Sequence, residues 1–559
     1  MFQITKMICI SFIFATYSLC QVTLPPLPLT SDHYERAILD AQRLLQYSFQ
    51  GEGEGEIPRQ AFHELQTALK ISKEMHQRGD LTGQALRSAI NNLYDACVLF
   101  EIQARVANST SIDTLATKET KYLFQNLKEL SPDHLIYGMQ DATGYGVGWN
   151  DDDDRSDVKD VCGSYPGMFS WDVYALTRDG HYDRFKYRFE LAYRHGAVNT
   201  LCWHQYDPLG RSFYSKNVDH ENVVQTLLPQ GEYHEYYLEK LEYLAFSLKS
   251  LRGDHGESIP VIFRPYHEHD GGWFWWGAGQ CTTEEYNEIW RFTYHYLTDS
   301  LNVHNLLWAI SPNHANTEEK YLSIFPGHDY VDVYGMDHYF NGESIGQDQV
   351  LDFIRKLRVV STLAANHDKL AGLTEVGYEG IPLDSWHTNV LLDPLKRDPV
   401  ASRVSYAAVW RNANTTHHYA PYPGHTSVPD FLEFYQDPYT LFSLNMPKIY
   451  FHNFVEPDYG DIVVPNGIDL QQNYPNPFNP GTEIPYEIEG FSRTNLSIQI
   501  YDIRGQKLKS FQRKHEYDGD FSVHWDGVEA DGEPAPAGVY IYQLATQGIY
   551  ESRKMVLLR

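Results

Sequence analysis

The chain has 559 residues, 42% of them hydrophobic, and sets 45 Lys and Arg against 74 Asp and Glu for a formal charge of −29. The length predicts several domains or one large barrel with smaller pieces, and the apolar fraction suffices for a packed core. So acidic a chain excludes nucleic acid as a partner and an anionic membrane surface as a docking ground.

At the N-terminus, MFQITKMICISFIFATYSLCQ sets one Lys before an apolar run from Met7 to Thr16, with Ser18 and Cys20 near a cut. This predicts a secretory signal over residues 1–20, too short to span a membrane. Leu19 is bulky where a lipoprotein signal takes a small residue, so lipid anchoring ranks second. Removing the signal leaves Cys97, Cys162, Cys202 and Cys281, with no CxxC spacing for zinc or redox chemistry. Export permits a disulfide; a Cys162–Cys202 bridge and four buried free thiols stand as even alternatives. Residues 31–107 carry apolar residues at three- and four-residue spacing in HYERAILDAQRLLQYSF, AFHELQTALKISKEMHQRG and TGQALRSAINNLYDACVLFEIQARV. That predicts a small helical bundle, with Ser31 as its first cap. The segment resembles helical modules of the FIVAR type, which implies a spacer or attachment role.

Across 128–455, short β-rich runs alternate with longer amphipathic stretches, the pattern of βα units. Eight strands are predicted: HLIYGMQ (134–140), PGMFSWDV (166–173), AVNTLCWH (197–204), IPVIFRPYHE (259–268), NLLWAISP (305–312), YVDVYGMDHY (330–339), LAGLTEVGYE (370–379) and VSYAAVWR (404–411). The fold class is therefore α/β, a (β/α)8 TIM barrel whose site lies at the carboxyl ends of its strands. Asp172, His204, His267, Glu268, Asp337, Tyr339, Glu375 and Trp410 fall at those ends. Glu268 and Glu375 stand on strands 4 and 7, across the barrel from each other. A carboxyl pair about 5–5.5 Å apart cleaves a glycosidic bond with retention, through a covalent glycosyl-enzyme. The aromatic run Trp273, Phe274, Trp275 and Trp276 beside Glu268 forms an apolar wall that raises a carboxyl pKa. Glu268 is thus the predicted acid/base and Glu375 the nucleophile, with Trp273 or Trp276 facing the sugar and Tyr339 holding Glu375 ionised. His267 and Glu268 point oppositely on a regular strand, so both reach the site only across a bulge. The acidic run NDDDDRSD (150–157) lacks an EF-hand pattern and reads as a solvated loop. Neither metal nor cofactor is expected.

FRPYHEHDGGWFWWG (263–277) and LTEVGYE (373–379) resemble the acid/base and nucleophile segments of glycoside hydrolase family 26. YGMQDATGYGVGW, YPGMFSWD, WHQ, YGMDHYF and WRNA follow the same family in order across the barrel. The resemblance implies endo-β-1,4-mannanase activity on mannan, glucomannan or galactomannan. It makes Glu268 the acid/base and Glu375 the nucleophile, and it lines the reacting subsite with His204, His267, Asp337, Tyr339 and Trp410. Asp172 joins that set from its place after strand 2. Relatives of the family that cleave mixed-linkage β-glucan or β-1,3-xylan keep those sugars as alternatives, and a non-catalytic carbohydrate-binding barrel is the rival from another class.

Residues 466–559 alternate at period two between Gly and Pro turns, which predicts an Ig-like β-sandwich. QNYPNPFNP, YDIRGQ, AGVYIYQL and the tail KMVLLR resemble the sorting domain of the type IX secretion pathway. The resemblance implies secretion machinery as a partner and a secreted or cell-surface location. A monomer is expected.

Overall fold

Three helices open the first of two units, Met1–Pro457 and Asp458–Arg559, in a computed structural model. It describes residues 27, 29–107, 110–152, 155–177, 181–218, 222–455, 468–488, 494–502, 507–515, 519–530, 532–546 and 549–558. The predicted signal over 1–20 lies outside these residues. Helices α1 (Ser31–Tyr47), α2 (Arg59–Arg78) and α3 (Gly83–Glu101) form the bundle. The cap of α1 is Thr30, one residue before the predicted Ser31. Tyr34, Ala37, Ile38, Ala41 and Leu44 of α1 are buried, as are Leu86, Ala89, Ile90, Leu93, Tyr94 and Cys97 of α3. Each is the inner stripe of an amphipathic helix.

The bundle is not a free spacer. Its buried side chains share one hydrophobic core with the barrel. Glu101, at the end of α3, accepts hydrogen bonds from Arg252 Nη1 (2.7 Å), Ser258 N (2.6 Å) and Ser258 Oγ (2.8 Å), all buried. Lys249 reaches Asp95 at 2.6 Å, and Tyr94 packs edge-on to Phe246. These partners lie just ahead of the fourth barrel strand, so the bundle is seated at the amino end of the barrel.

After helix α4 (Lys118–Leu130) come the eight barrel strands. They are β1 (Leu135–Gln140), β2 (Met168–Asp172), β3 (Val198–Cys202), β4 (Val261–Arg264), β5 (Leu306–Ile310), β6 (Val333–Phe340), β7 (Leu370–Tyr378) and β8 (Val404–Val409). All neighbours pair in parallel, and β8 closes on β1 from Ile136–Tyr406 to Met139–Val409. Among the longer connecting helices are α5 (Tyr182–Arg194), α6 (His234–Lys249), α7 (Thr283–His295) and α8 (Gln347–Asn366). Every strand residue is buried except Asp172 and Tyr339, both near carboxyl ends; strands covered on both faces read as continuous apolar runs.

One irregularity bears on function. Met336 of β6 pairs with Leu373 of β7, but the next residue, Asp337, pairs with Glu375. Thr374 is therefore the extra residue of a β-bulge, and the β8 register shifts at the same place. Gly335 accommodates it: a Cβ there would lie 2.7 Å from the Thr374 methyl and 2.8 Å from Ile310 O.

The second unit holds two antiparallel sheets. One joins β9 (Ile468–Leu470), β10 (Thr482–Ile488) and β13 (Gly519–Trp525); the other joins β11 (Thr494–Asp502), β12 (Lys507–His515), β14 (Gly538–Thr546) and β15 (Ile549–Leu557). Ile484, Tyr486, Ile498, Ile500, Trp525, Tyr542, Leu544 and Met555 form its core. Within the QNYPNPFNP segment, Asn473 is buried and its N–H donates to Tyr542 Oη at 2.9 Å, while Phe478 packs on Trp525.

All four cysteines outside the signal are free, and the Cys162–Cys202 bridge is not formed. Cys162 Sγ donates to Ser164 O, while Cys202 Sγ lies 3.9 Å from His204 Nδ1. Of the acidic run, Asp153 and Asp154 lie outside the described residues. Asp151 pairs with Arg184 (3.0 Å) and Arg188 (3.3 Å), and Asp157 accepts from Val147 N, Trp149 Nε1 and Asn412 Nδ2. These two carboxylates are thus held by protein donors.

Candidate active site

Strand β4 ends at Arg264, four residues earlier than the sequence pattern predicts. Beyond it the chain turns twice through left-handed backbone, at Tyr266 (φ 48°) and Glu268 (φ 52°), a conformation that disfavours side chains with a Cβ and recurs at functional sites. Strand alternation no longer applies there, and no bulge in β4 is required: both His267 and Glu268 turn toward the carboxyl ends of the strands. Glu268 N donates to Ser311 O at 2.7 Å, pinning the turn to the loop after β5.

The Glu268 carboxyl is nearly buried. Asn313 Nδ2 donates to its Oε1 and Trp273 Nε1 to its Oε2, each at 2.8 Å. Burial pushes its pKa up to about 7, and the nearby charge of Glu375 adds to the rise; the two hydrogen bonds and Arg264 oppose it. Glu375 is treated differently. Arg264 Nη2 donates to its Oε1, and Tyr339 Oη donates to its Oε2 at 2.6 Å. Two donors, one of them a full cation, fix both oxygens of this carboxyl in place. Oxygens of Glu268, Asp337 and Glu375 lie within 4.8 Å of one another.

Arg264 joins this group together. Its Nη1 donates to Asp337 Oδ2 (2.8 Å) and lies 2.9 Å from Ser311 Oγ, while Thr374 Oγ1 donates to Asp337 Oδ1 at 2.6 Å. Burial works against the guanidinium charge, but Asp337 and Glu375 more than compensate and keep it ionised. The bulge at Thr374 has its purpose here, since Thr374 and Glu375 are adjacent yet both reach inward. Arg264, Asn313 and Thr374 are absent from the predicted site. Arg264 did leave a signal: a charged residue at the end of an otherwise apolar buried strand requires a partner.

A second group flanks the first. His204 Nδ1 bonds Asp172 Oδ2 at 2.6 Å, and its Nε2 lies 3.1 Å from His267 Nε2. Burial disfavours a charge on His204, yet Asp172 outweighs it and raises the imidazole above its ordinary value. Burial, Arg264 and His204 hold His267 well below it. The two facing imidazoles are thus pushed in opposite directions. Phe213, Phe274 and Trp410 stand edge-on around His204 at 5.0, 5.5 and 5.7 Å.

The predicted residues therefore sort by depth. Glu268, Glu375, His204, Trp273, Tyr339 and Trp410 cluster at the carboxyl ends, where Trp273, His204, Tyr339 and Trp410 keep partial exposure. Asp337 and His267 are buried, at 0% and 1%, and stand behind that surface instead of lining it. Asp172 orients His204. Trp276 is fully buried, stacked on Phe274 at 4.6 Å, with its indole N–H donated to His267 O; it has no face for a sugar, and Trp273 is the exposed indole. Two clusters carry donor sets that a metal could use, Glu268–Asp337–Glu375 and Asp172–Cys202–His204. In the first, all four oxygens of Asp337 and Glu375 already accept from Arg264, Ser311, Thr374 or Tyr339.

Comparison with known proteins agrees with this architecture. The sequence profile of Glycosyl hydrolase family 26 matches residues 112–373, which takes in Glu268 and stops just short of Glu375. The FlgD Ig-like domain profile matches residues 488–548 of the second unit. A GH26 β-mannanase structure from Bacteroides ovatus superposes with a TM-score of 0.56 at 36% identity, over 61% of this chain and 99% of that one. GH26C from Muricauda sp. MAR_2010_75 gives 0.58 at 37%, over 61% and 96%. A mannan endo-1,4-β-mannosidase of Bifidobacterium adolescentis is 33% identical over 292 residues, 49% of this chain but only 28% of that enzyme's length. With nearly the whole of two family structures reproduced at better than a third identity, the chain belongs to glycoside hydrolase family 26.

Proposed function

We propose that the protein is a retaining glycoside hydrolase that cleaves internal β-1,4-mannosidic bonds. One observation carries the reading: two carboxyls with oxygens within 4.8 Å, Glu268 pushed up to about 7 by burial and Glu375 held by Arg264 and Tyr339. That spacing matches the about 5–5.5 Å of retaining enzymes and leaves no room for the water of an inverting pair at about 6.5–9.5 Å. Glu375, held by Arg264 and aimed by Tyr339, attacks the anomeric carbon as the bond to the leaving oxygen breaks. Glu268 gives its proton to that oxygen, then takes one from the water that hydrolyses the glycosyl-enzyme. The His204 imidazole and the face of Trp273 hold the sugar ring against the pair.

The relatives support mannan as the sugar: those from Bacteroides ovatus and Bifidobacterium adolescentis are a β-mannanase and a mannan endo-1,4-β-mannosidase. A reducing-sugar assay on galactomannan, glucomannan, barley β-glucan and xylan tests it. Release from the two mannans with a ladder of oligosaccharides is expected; activity on β-glucan or xylan alone overturns the mannan assignment while keeping the chemistry, and inertness on all four leaves a binding protein. The signal at 1–20 and the sandwich at 466–559 support export to the cell surface or medium through a sorting pathway. Deleting residues 466–559 in the native host should retain the enzyme inside the cell envelope, and unchanged release would refute that route.

A further inference from the structure

Lys356 stands on α8, outside the barrel wall, and only 6% of it is exposed. A buried ammonium is costly unless paired. Its nearest carboxylate oxygen, on Asp352, is 3.8 Å away. The shorter contacts are a hydrogen bond of 2.6 Å to the backbone carbonyl of Asn313 and one of 3.2 Å to His338 Nδ1. Burial and the Lys356 charge hold His338 down to about 3, so its Nδ1 is an acceptor and the lysine the donor.

The other side of the same peptide is also clamped. Asp270 Oδ1 accepts from Asn313 N and Asp270 Oδ2 from His314 N, both at 2.7 Å. A cation on the carbonyl and an anion on two N–H groups leave Asn313 little rotational freedom. Its side chain then ends 2.8 Å from Glu268 Oε1. No described cation touches Glu268 directly; the Asn313 amide is one of its two hydrogen-bond donors.

We propose that Lys356 is a positioning residue for the acid/base carboxyl: by holding the Asn313 carbonyl it aims the Asn313 amide at Glu268 and so sets, from outside the pocket, how tightly Glu268 keeps its proton. The proposal rests on Glu268 being the acid/base. The groups facing Glu268 are Arg264 from β4, Asp337 and Tyr339 from β6, Glu375 from β7, Asn313 after β5 and Trp273 from its own loop. Those facing Lys356 are His338, Asp352, Asp270 and Asp337. The Asn313 bond favours the ionised form of Glu268. Loosening it makes Glu268 hold its proton to higher pH, so the alkaline limb of kcat/KM moves up while kcat falls through a misaimed acid.

The test is the pH profile of kcat/KM on soluble galactomannan for the full chain and for Asn313→Ala, Lys356→Met, Lys356→Arg, the Asn313→Ala/Lys356→Met double variant and Glu268→Ala, each checked by thermal melt. Asn313→Ala should raise the alkaline limb by about one pH unit, the size of a lost hydrogen bond to a charged group. Lys356→Met should raise it by less, Lys356→Arg should restore the native limb, and the double variant should match Asn313→Ala alone. A folded Lys356→Met with the native limb overturns the proposal, as does a double variant whose shifts add, since Lys356 would then act by its charge and not through Asn313. Should Lys356→Met not fold, Lys356→Gln carries the same comparison. The Glu268→Ala arm is read separately: loss of its limb upholds the acid/base reading, and a surviving limb overturns that reading and the proposal with it.

Discussion

Two buried arginines, Arg252 and Arg264, show how a one-to-one ion pair differs from a cation shared among several carboxyls at the candidate active site. Both are about 1% exposed and both hold a glutamate. At the seat of the helical bundle, Arg252 meets Glu101, whose two oxygens are filled by Arg252 and by the N–H and hydroxyl of Ser258. At the site, Arg264 stands among three carboxyls, Glu375, Asp337 and Glu268. Burial first, and the charge of Glu375 second, push Glu268 up to about 7, and burial raises Asp337 well above the usual carboxylate range as well. The bundle seat sets one carboxyl against its one cation; the candidate site sets three carboxyls around one cation in a buried setting, the kind of environment that pushes titratable groups apart.

The comparison breaks most sharply at Glu375. Glu375→Ala should cut kcat on the order of 10⁴-fold or more with the fold retained; mass spectrometry of the native enzyme with a slow fluorinated glycoside should show label on Glu375, and label elsewhere would refute its role. Arg252→Met is the converse. It leaves Glu101 buried and unpaired, which costs about 3–5 kcal/mol of stability, while kcat measured well below the melting point stays native, since the seat lies at the other end of the barrel. Denaturant titration and steady-state kinetics together check this.

Smaller effects sharpen the picture. Tyr339→Phe removes one of the two donors on Glu375, a hydrogen bond to a charged group of about 1.5–3 kcal/mol, so kcat/KM should fall about tenfold to a hundredfold. Glu268→Gln tests the charge count through stability. The folded pKa of about 7 lies above the ordinary 4.5, so the wild type is favoured at low pH and loses that contribution as pH rises through 7. Relative to wild type, the Gln variant should therefore gain up to about 3 kcal/mol between pH 4 and pH 9; parallel melting curves over that range would show the idea wrong.

Much of this was legible residue by residue. The eight strands lie where period and turn signals place them, because strands covered on both faces must be apolar along their length. Glu375 and the Tyr339–Glu375 bond follow from strand-end positions, whereas Glu268 lies four residues past the end of β4. Arg264, Asn313 and Thr374 did not, for distinct reasons. The partners of Arg264 stand 73 and 111 residues away; Asn313 lies in a loop with no periodicity; Thr374 acts only because a bulge cancels strand alternation. Trp276 went the other way: composition cannot tell an indole that faces a sugar from one packed beneath it.

By itself the sequence determined the barrel, the bundle, the sandwich and where the two candidate carboxyls stand along the chain, since hydrophobic periodicity and strand-end position are local properties of the chain. Only the tertiary structure decided which groups hold each glutamate, which indole keeps partial exposure and that the bundle is part of the barrel's core. Those depend on burial and on charges brought within a few ångströms from distant strands, and both exist only once the chain has closed on itself.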